Sequence, residues 1–333
     1  MEGAGFEQRR AKEGAEAWIT ARVALKEPAA EGIVRFELES ATGETLPGFD
    51  PGAHIDVRLP NGLIRQYSLS GSPGGGRRYE IAVLLEAQGR GGSRCAHDQV
   101  KAGMALDIGV PRNAFPLVAA PHSILCAGGI GITPILAMAE QLERDGASFE
   151  MHYCCRSIQR AAFLTRLREA GFSHRVHLHF DDGAAAQAFD ASRVLKGADA
   201  GSHLYVCGPK GFMDHVIGVA RESGFPAARI HFEYFAATTG DKSSDAAFDV
   251  CLAGSDVCVR VEPGQTVVEA LAAYGILVPV SCEQGICGTC VMKVLDGIPE
   301  HRDTYLTDAE RAANTCFTPC CSRARSATLV IAF

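Results

Sequence analysis

The chain has 333 residues, 47% of them hydrophobic and 21% charged, enough for two or three globular domains and too apolar for a disordered chain. Its formal net charge is −7 and it carries no basic tract, which excludes the usual electrostatics of nucleic-acid or anionic-membrane binding. No apolar run reaches membrane-spanning length, and the N-terminal "MEGAGFEQRRAKEGAEAW" has no apolar core of a secretion signal, so a cytoplasmic, monomeric protein is expected.

Residues 18–118 read as β-structure. "ITARVALKEP", "GIVRFELES", "HIDVRLP", "IRQYSLSG" and "YEIAVLLE" alternate or run apolar, with Pro, Gly and Asn between them. Short strands at that spacing predict an antiparallel barrel or sandwich. On "RQYS", Arg65 and Tyr67 share one strand face, and Ser68 follows. An Arg, a ring and a hydroxyl could hold an anionic planar ligand; a solvated sheet face is the plainer reading. "GRGGSRCAHD" adds a glycine turn with Arg90, Ser93 and Arg94, suited to a phosphate.

From residue 119 to 237 strands alternate with helices, the pattern of a parallel sheet covered on both faces. "HSILCAGG" is a buried strand, and "TPILAMAEQLERDG" a helix with Pro134 near its start and Gly146 at its end. The turn between them, with Gly128, Gly129 and Gly131 before Thr133, lacks the GxGxxG spacing but lets a pyrophosphate approach a helix start. "YVCGPKGFMD" repeats strand, turn and helix, so Cys207, Gly208 and Pro209 fall at the carboxyl end of another strand, where ligands of such sheets bind. His177 and His179 alternate on a strand and read as one face of a sheet, not a metal pair. "TTGDKSSDAA", residues 238–247, has linker composition.

Residues 248–333 hold the strongest motif. "SCEQGICGTC" spaces Cys282, Cys287 and Cys290 as the plant-type [2Fe–2S] proteins do. Gly285 and Gly288 allow the backbone to wrap and turn amides toward the sulfurs. The fourth ligand lies among Cys316, Cys320 and Cys321; a four-thiolate zinc site is the rival, but only one short CxxC knuckle is present. The chain has 13 cysteines, an odd number, which argues against a disulfide framework; Cys95, Cys126, Cys154, Cys155, Cys251 and Cys258 read as small buried hydrophobes. There is no internal repeat and no catalytic triad.

"RQYS", "GGIGITP" with "CGP", and "CEQGICGTC" stand in an order that resembles the phthalate dioxygenase reductase family, including vanillate demethylase reductases, over nearly the whole chain. The resemblance implies a multidomain protein: an antiparallel β-barrel flavin domain (18–118), an α/β parallel-sheet nicotinamide-binding domain (119–237) and an α+β plant-type ferredoxin domain (248–333). It implies FMN held by Arg65, Gln66, Tyr67, Ser68, Ala82, Val83, Gly91, Gly92 and Ser93. It implies NADH held by Gly129, Gly131, Thr133, Arg156, Cys207, Gly208 and Pro209, with Thr133, Cys207 and Phe235 at the reacting rings. In "CCSRARS" the cysteine two before the serine is the family's ligand, which selects Cys320. Two departures stand out. Leu84 occupies a place where relatives can have a lysine, which bears on FMN against FAD, and Arg90 or Arg94 is positioned to supply the charge. Arg156 and Ser157 replace an acidic residue expected to favour NADH, and NADH is still the expectation. The implied partner is a Rieske-type terminal oxygenase. The alternatives are a reductase for another monooxygenase or a cytochrome P450, or a redox-sensing iron–sulfur binding protein.

Overall fold

The computed structural model describes residues 18–72, 76–87, 89–199, 201–235, 245–280, 282–286 and 288–333. The chain divides into two compact units, the first ending at Glu233 and the second beginning at Tyr234. Among the described residues no helix is long and apolar enough to cross a membrane.

The first unit opens with seven antiparallel strands: β1 (Trp18–Ala30), β2 (Ile33–Ser40), β3 (Ala53–Arg58), β4 (Ile64–Ser68), β5 (Arg78–Leu84), β6 (Ala105–Gly109) and β7 (Arg112–Asn113). They pair in the order β4-β3-β6-β1-β2-β5, with β7 on β3. A bridge between Leu69 and Ile81 joins the two ends of that order. Alternation explains the core: Phe36 and Leu38 on β2 and Tyr79, Ile81 and Val83 on β5 point inward, while Glu37 and Glu80 face out. The short helix α1 (Gly92–Asp98) packs Cys95 and Ala96 against this core. Trp18, the sole tryptophan, lies with the Arg58 guanidinium 4.4 Å from its ring centre.

A five-stranded parallel sheet follows, built from β8 (Ser123–Gly128), β9 (Phe149–Cys155), β10 (Val176–Phe180), β11 (His203–Cys207) and β12 (Ile230–Glu233). Helices α2 (Ile132–Arg144), α3 (Leu164–Glu169), α4 (Ala191–Lys196) and α5 (Lys210–Glu222) connect them. The order β10-β9-β8-β11-β12 reverses direction between β8 and β11. Sheets with such a switch have a ligand-binding crevice at the carboxyl ends of the strands beside it. Two features tie this sheet to the preceding one inside the unit. Ile33 and Ala82 bury against Ala162, and Arg166 bridges Glu80 and Glu140, each at 2.6 Å.

In the second unit, β13 (Phe248–Leu252), β14 (Cys258–Val261), β15 (Met292–Asp296), β17 (Cys316–Phe317) and β19 (Thr328–Ile331) form a mixed sheet in the order β14-β13-β19-β15-β17, and β16 (Pro299–Glu300) pairs β18 (Arg323–Ala324). Helices α6 (Val267–Ala273) and α7 (Asp308–Ala313) each begin with a reciprocal cap, Thr266 with Glu269 and Thr307 with Glu310.

Two sequence expectations are corrected here. Cys251 and Cys258 are not core residues: Phe248, Val250, Leu252, Val259 and Val261 take the inner face, which leaves both cysteines on the outer one. They are antiparallel register partners with Cα atoms 4.0 Å apart, and they form a disulfide. The other correction concerns the expected linker. Residues 236–244 lie outside the described residues, but Asp245 is no solvated linker residue. Its carboxylate is buried between Arg302 at 2.7 Å and Arg323 at 3.5 Å. Although burial works against it, the Arg302 hydrogen bond and the Arg323 charge hold the Asp245 carboxyl below its ordinary value.

Candidate functional site

The glycine turns after β8 and β11 meet at the switch of the parallel sheet. A Cβ on Gly131 would stand 2.2 Å from the Cys207 carbonyl oxygen, and one on Gly208 would stand 2.8 Å from Gly128 Cα. Only glycines allow backbones that close. Gly129, at φ 52, has nothing within 4 Å of where a Cβ would be, so its side of the turn is open. Thr133 is buried and its hydroxyl donates to the Ile130 carbonyl at 3.0 Å, which fixes the start of α2. Pro209 precedes α5, and Arg156 is exposed just beyond β9. Gly131→Ala is expected to force the turns apart and cost about 3 kcal/mol, read as a lower thermal midpoint of the full-length protein.

The antiparallel sheet reaches this end of the parallel sheet through Ser68, which hydrogen-bonds Glu233 at the end of β12. Arg65, Gln66 and Tyr67 are half-buried on β4 and Ser68 is buried. Burial raises the Tyr67 phenol well above its ordinary pKa. Arg65 lies against the glycine turn at α1, since a Cβ on Gly92 would be 2.8 Å from Arg65 Nε. Gly91 takes φ 89 there, and the Ser93 hydroxyl accepts the Glu86 amide at 3.0 Å. Ala82 and Val83 are buried on β5, and the Val83 carbonyl accepts from His97 Nε2 at 2.9 Å.

A largely enclosed acid, its side chain 10% exposed, links the two sheets, and its role has no local sequence signature. Glu233 ends β12 as the parallel register partner of Cys207. Ser68 Oγ donates to Glu233 Oε2 at 3.4 Å, and His54 Nδ1 lies 3.9 Å from Oε1. His54 is in turn the register partner of Ser68. Burial pushes the Glu233 carboxyl up to about 8, with the Ser68 hydrogen bond opposing it. His54 is pushed down to about 4 by burial and by Arg112, against the pull of Asp56. Burial, and then the Glu233 charge, raises the fully buried Cys207 thiol well above its ordinary range. At neutral pH the crevice therefore presents a neutral imidazole, a protonated thiol and a carboxyl that retains its proton. The available signal is the segment "HFEYFAA", in which Glu233 sits two residues before Phe235. Phe235 itself is half-buried in the second unit.

In the second unit Cys282, Cys290 and Cys320 are buried, and Cys287 lies outside the described residues. The loop that carries them turns left-handed at Glu283 (φ 53), Gly285 (φ 71) and Gly288 (φ 76). This winding points amides at sulfur. Gln284 N donates to Cys282 Sγ at 3.3 Å, and the Gly285 amide bonds Cys320. Cys320 contacts the Cys290 thiol, which raises its pKa. Cys321 bonds the Thr318 hydroxyl at 3.3 Å and is raised chiefly by Cys320, while Cys316 is buried on β17 opposite Lys293. Buried thiols this close oppose each other's ionisation, and a cationic iron–sulfide core removes that opposition, so the donor set fits a [2Fe–2S] cluster.

A cysteine loop of this kind in one unit and a doubly wound sheet with paired glycine turns in the other define an oxidoreductase that transports electrons through iron and sulfur. Comparison with known proteins agrees. Residues 250–325 match the family model described as a 2Fe-2S iron-sulfur cluster binding domain. Residues 114–230 match the N-terminal domain described as dimethylamine monooxygenase subunit DmmA-like. A vanillate O-demethylase oxidoreductase from a Pseudomonas species is 50% identical over 303 residues, 91% of this chain and 96% of the relative. The solved structure of phthalate dioxygenase reductase, described as modular for electron transfer from pyridine nucleotides to [2Fe–2S], aligns with a TM-score of 0.78 at 37% identity, covering 97% of this chain and 99% of that one. An intact type IV self-sufficient cytochrome P450 monooxygenase aligns with a TM-score of 0.77 at 37% identity, covering 94% of this chain and 41% of that one. The chain belongs to the family of phthalate dioxygenase reductase and the vanillate O-demethylase oxidoreductases, and it has that family's multidomain fold with a 2Fe-2S domain.

Proposed function

We propose that this chain is the reductase component of an oxygenase system. In this reading it takes electrons from NADH through FMN to the [2Fe–2S] cluster and delivers them to a Rieske-type terminal oxygenase. The chain acts as a monomer, residues 18–118 form a flavin-binding barrel, residues 119–237 bind the nicotinamide nucleotide, and residues 248–333 carry the cluster. The observation that carries the reading is the contact of Gly131 with Cys207 at the sheet's switch point, with Ser68 and Glu233 hydrogen-bonded beside it.

Each proposed role follows from the surroundings of the residue. Arg65, against the Gly91–Gly92–Ser93 turn, neutralises a flavin phosphate. Gln66, Tyr67, Ala82 and Val83 seat the ring system on a half-buried to buried face. The open side of Gly129, with Gly131, Thr133, Gly208 and Pro209, admits a pyrophosphate at the start of α2. Arg156 contacts the adenosine end. Cys207 and Thr133 border the reacting nicotinamide ring. When bound, the flavin exchanges a two-electron hydride equivalent for single electrons, and the cluster stores one electron at a time. Ser68 orients the Glu233 carboxyl and Glu233 holds a proton, so the walls near the ring carry no fixed charge. Cys282, Cys287, Cys290 and Cys320 ligate the iron.

The test is a spectrum of the purified protein, chromatography of its released flavin, and reduction of cytochrome c with NADH or NADPH. FMN, a cluster shoulder and faster turnover with NADH are expected. Protein fully loaded with flavin and iron that fails to oxidise NADH would sink the reading. The alignment with a self-sufficient cytochrome P450 supports a second acceptor class. Coupled turnover with a Rieske oxygenase and with a P450 separates the two.

A further inference from the structure

A cluster of side chains outside both sites lies on β9 and β10. Glu150 and His152 are two apart on β9 and so share a face, and His177 on β10 is the parallel register partner of His152. One ligand atom from each of the three lies within 4.8 Å of the others. The His152 and His177 rings stack with centres 4.9 Å apart, and His152 Nε2 stands 3.6 Å from Glu150 Oε2. His152 is only 5% exposed.

The hydrogen bonds behind this cluster determine what His152 presents to it. His179 Nδ1 is 2.9 Å from the Gln187 carbonyl, and His179 Nε2 is 3.1 Å from His152 Nδ1. A carbonyl only accepts, so His179 carries its proton on Nδ1 and offers a lone pair at Nε2. His152 must then donate from Nδ1, and in its neutral ring Nε2 keeps the lone pair. That Nε2 is buried and has no hydrogen-bond partner. Nε2 and the Glu150 carboxylate oxygen therefore face each other across a gap that a proton or a metal cation fills. A divalent cation takes the place of that proton, and the His179–Gln187 relay is the outer hydrogen bond that fixes a metal-binding imidazole. Two donors at zinc distances and a tetrahedral angle lie about 3.3 Å apart, near the observed 3.6 Å.

We propose that Glu150, His152 and His177 form a zinc-class divalent metal site, with water in the fourth position. The half-buried Glu150 and exposed His177 leave that position open to solvent. Arg193 on α4 is the opposing charge nearby. The donors are imidazole and carboxylate, unlike the thiolates of the cluster loop, and His152 lies three residues short of the carboxyl end of β9. The metal ties the edge strand β10 to β9. His179 is the positioning residue behind His152.

The experiment uses full-length protein with flavin and iron retained and counted. It is cleared of loose metal with a mild chelator, then titrated with zinc against a chromogenic competitor, and separately with cobalt(II). One zinc per chain in the micromolar range or tighter is expected, with visible cobalt bands of a four- or five-coordinate site and a zinc-dependent rise in melting temperature. His177→Ala and Glu150→Gln should each weaken zinc binding by about tenfold or more, leaving iron and flavin content unchanged. His177 is exposed, so the metal-free variant should melt like wild type; if it does not, Glu150→Gln gives the reading. Equal zinc binding by wild type and Glu150→Gln, or no stoichiometric binding by wild type, overturns the site.

Discussion

Cys320→Ser is expected to remove most of the cluster's visible absorption and to cut NADH-driven cytochrome c reduction by about 100-fold, while ferricyanide, which accepts electrons directly from flavin, is still reduced. The expectation rests on the contact of Cys320 with Cys290 and on the Gly285 amide that Cys320 receives. Serine keeps the volume but supplies a hard, weakly acidic oxygen in place of a thiolate. Cys321→Ser, which alters a side chain held by Thr318, should retain the cluster. Iron analysis and the ratio of the two activities check both. A normal cluster in Cys320→Ser would transfer the ligand role to Cys316 or Cys321.

Glu233→Gln should change how stability depends on pH. The Glu233 carboxyl ordinarily titrates near 4.5 and is raised to about 8 in the fold, so the folded state holds a proton that the unfolded chain has lost. The stability this group retains at low pH is therefore lost as pH rises through 8. His54 acts in the opposite sense: it is pushed from 6.5 to about 4, so its contribution is lost on acidification below 6.5. Between about 4.5 and 6.5 the two slopes oppose each other, and above 6.5 the Glu233 decline is read as the difference between wild type and Glu233→Gln. Between pH 6.5 and 8 flavin-free wild type should lose about 2 kcal/mol relative to Glu233→Gln, a difference in which the lowered histidines common to both proteins cancel. Urea unfolding followed by Trp18 fluorescence reports on the first unit alone, because Trp18 is the sole tryptophan. Parallel curves for the two proteins would show that Glu233 titrates normally.

What the sequence revealed depended on how far each constraint reaches along the chain. The 2Fe-2S domain was legible because metal chemistry imposes a local spacing, here that of Cys282, Cys287 and Cys290. The glycine turns were legible because strand, turn and helix follow one another, although the closeness of Gly131 to Cys207 required the fold. Glu233 was not legible. Its role comes from lateral register with Cys207 and from Ser68 on another sheet, and neither leaves a periodic trace. His152 escaped for the same reason, being joined to His177 only through parallel pairing. Asp245 looked like linker because short polar residues read alike whether solvated or paired, and its partners, Arg302 and Arg323, are far along the chain. The disulfide of Cys251 and Cys258 was masked by a different ambiguity. A cysteine in an alternating strand shows its face only when the inner row is known.

The boundary between the two units has a consequence for exchanging modules among relatives. The first unit ends on Glu233 itself, so its buried acid is the last residue before the crossover point. A chimera that takes its second half from another reductase must be spliced after Glu233. A junction drawn a few residues earlier, at the start of β12, would import the donor's residue into a crevice whose Ser68, His54 and Cys207 come from the recipient.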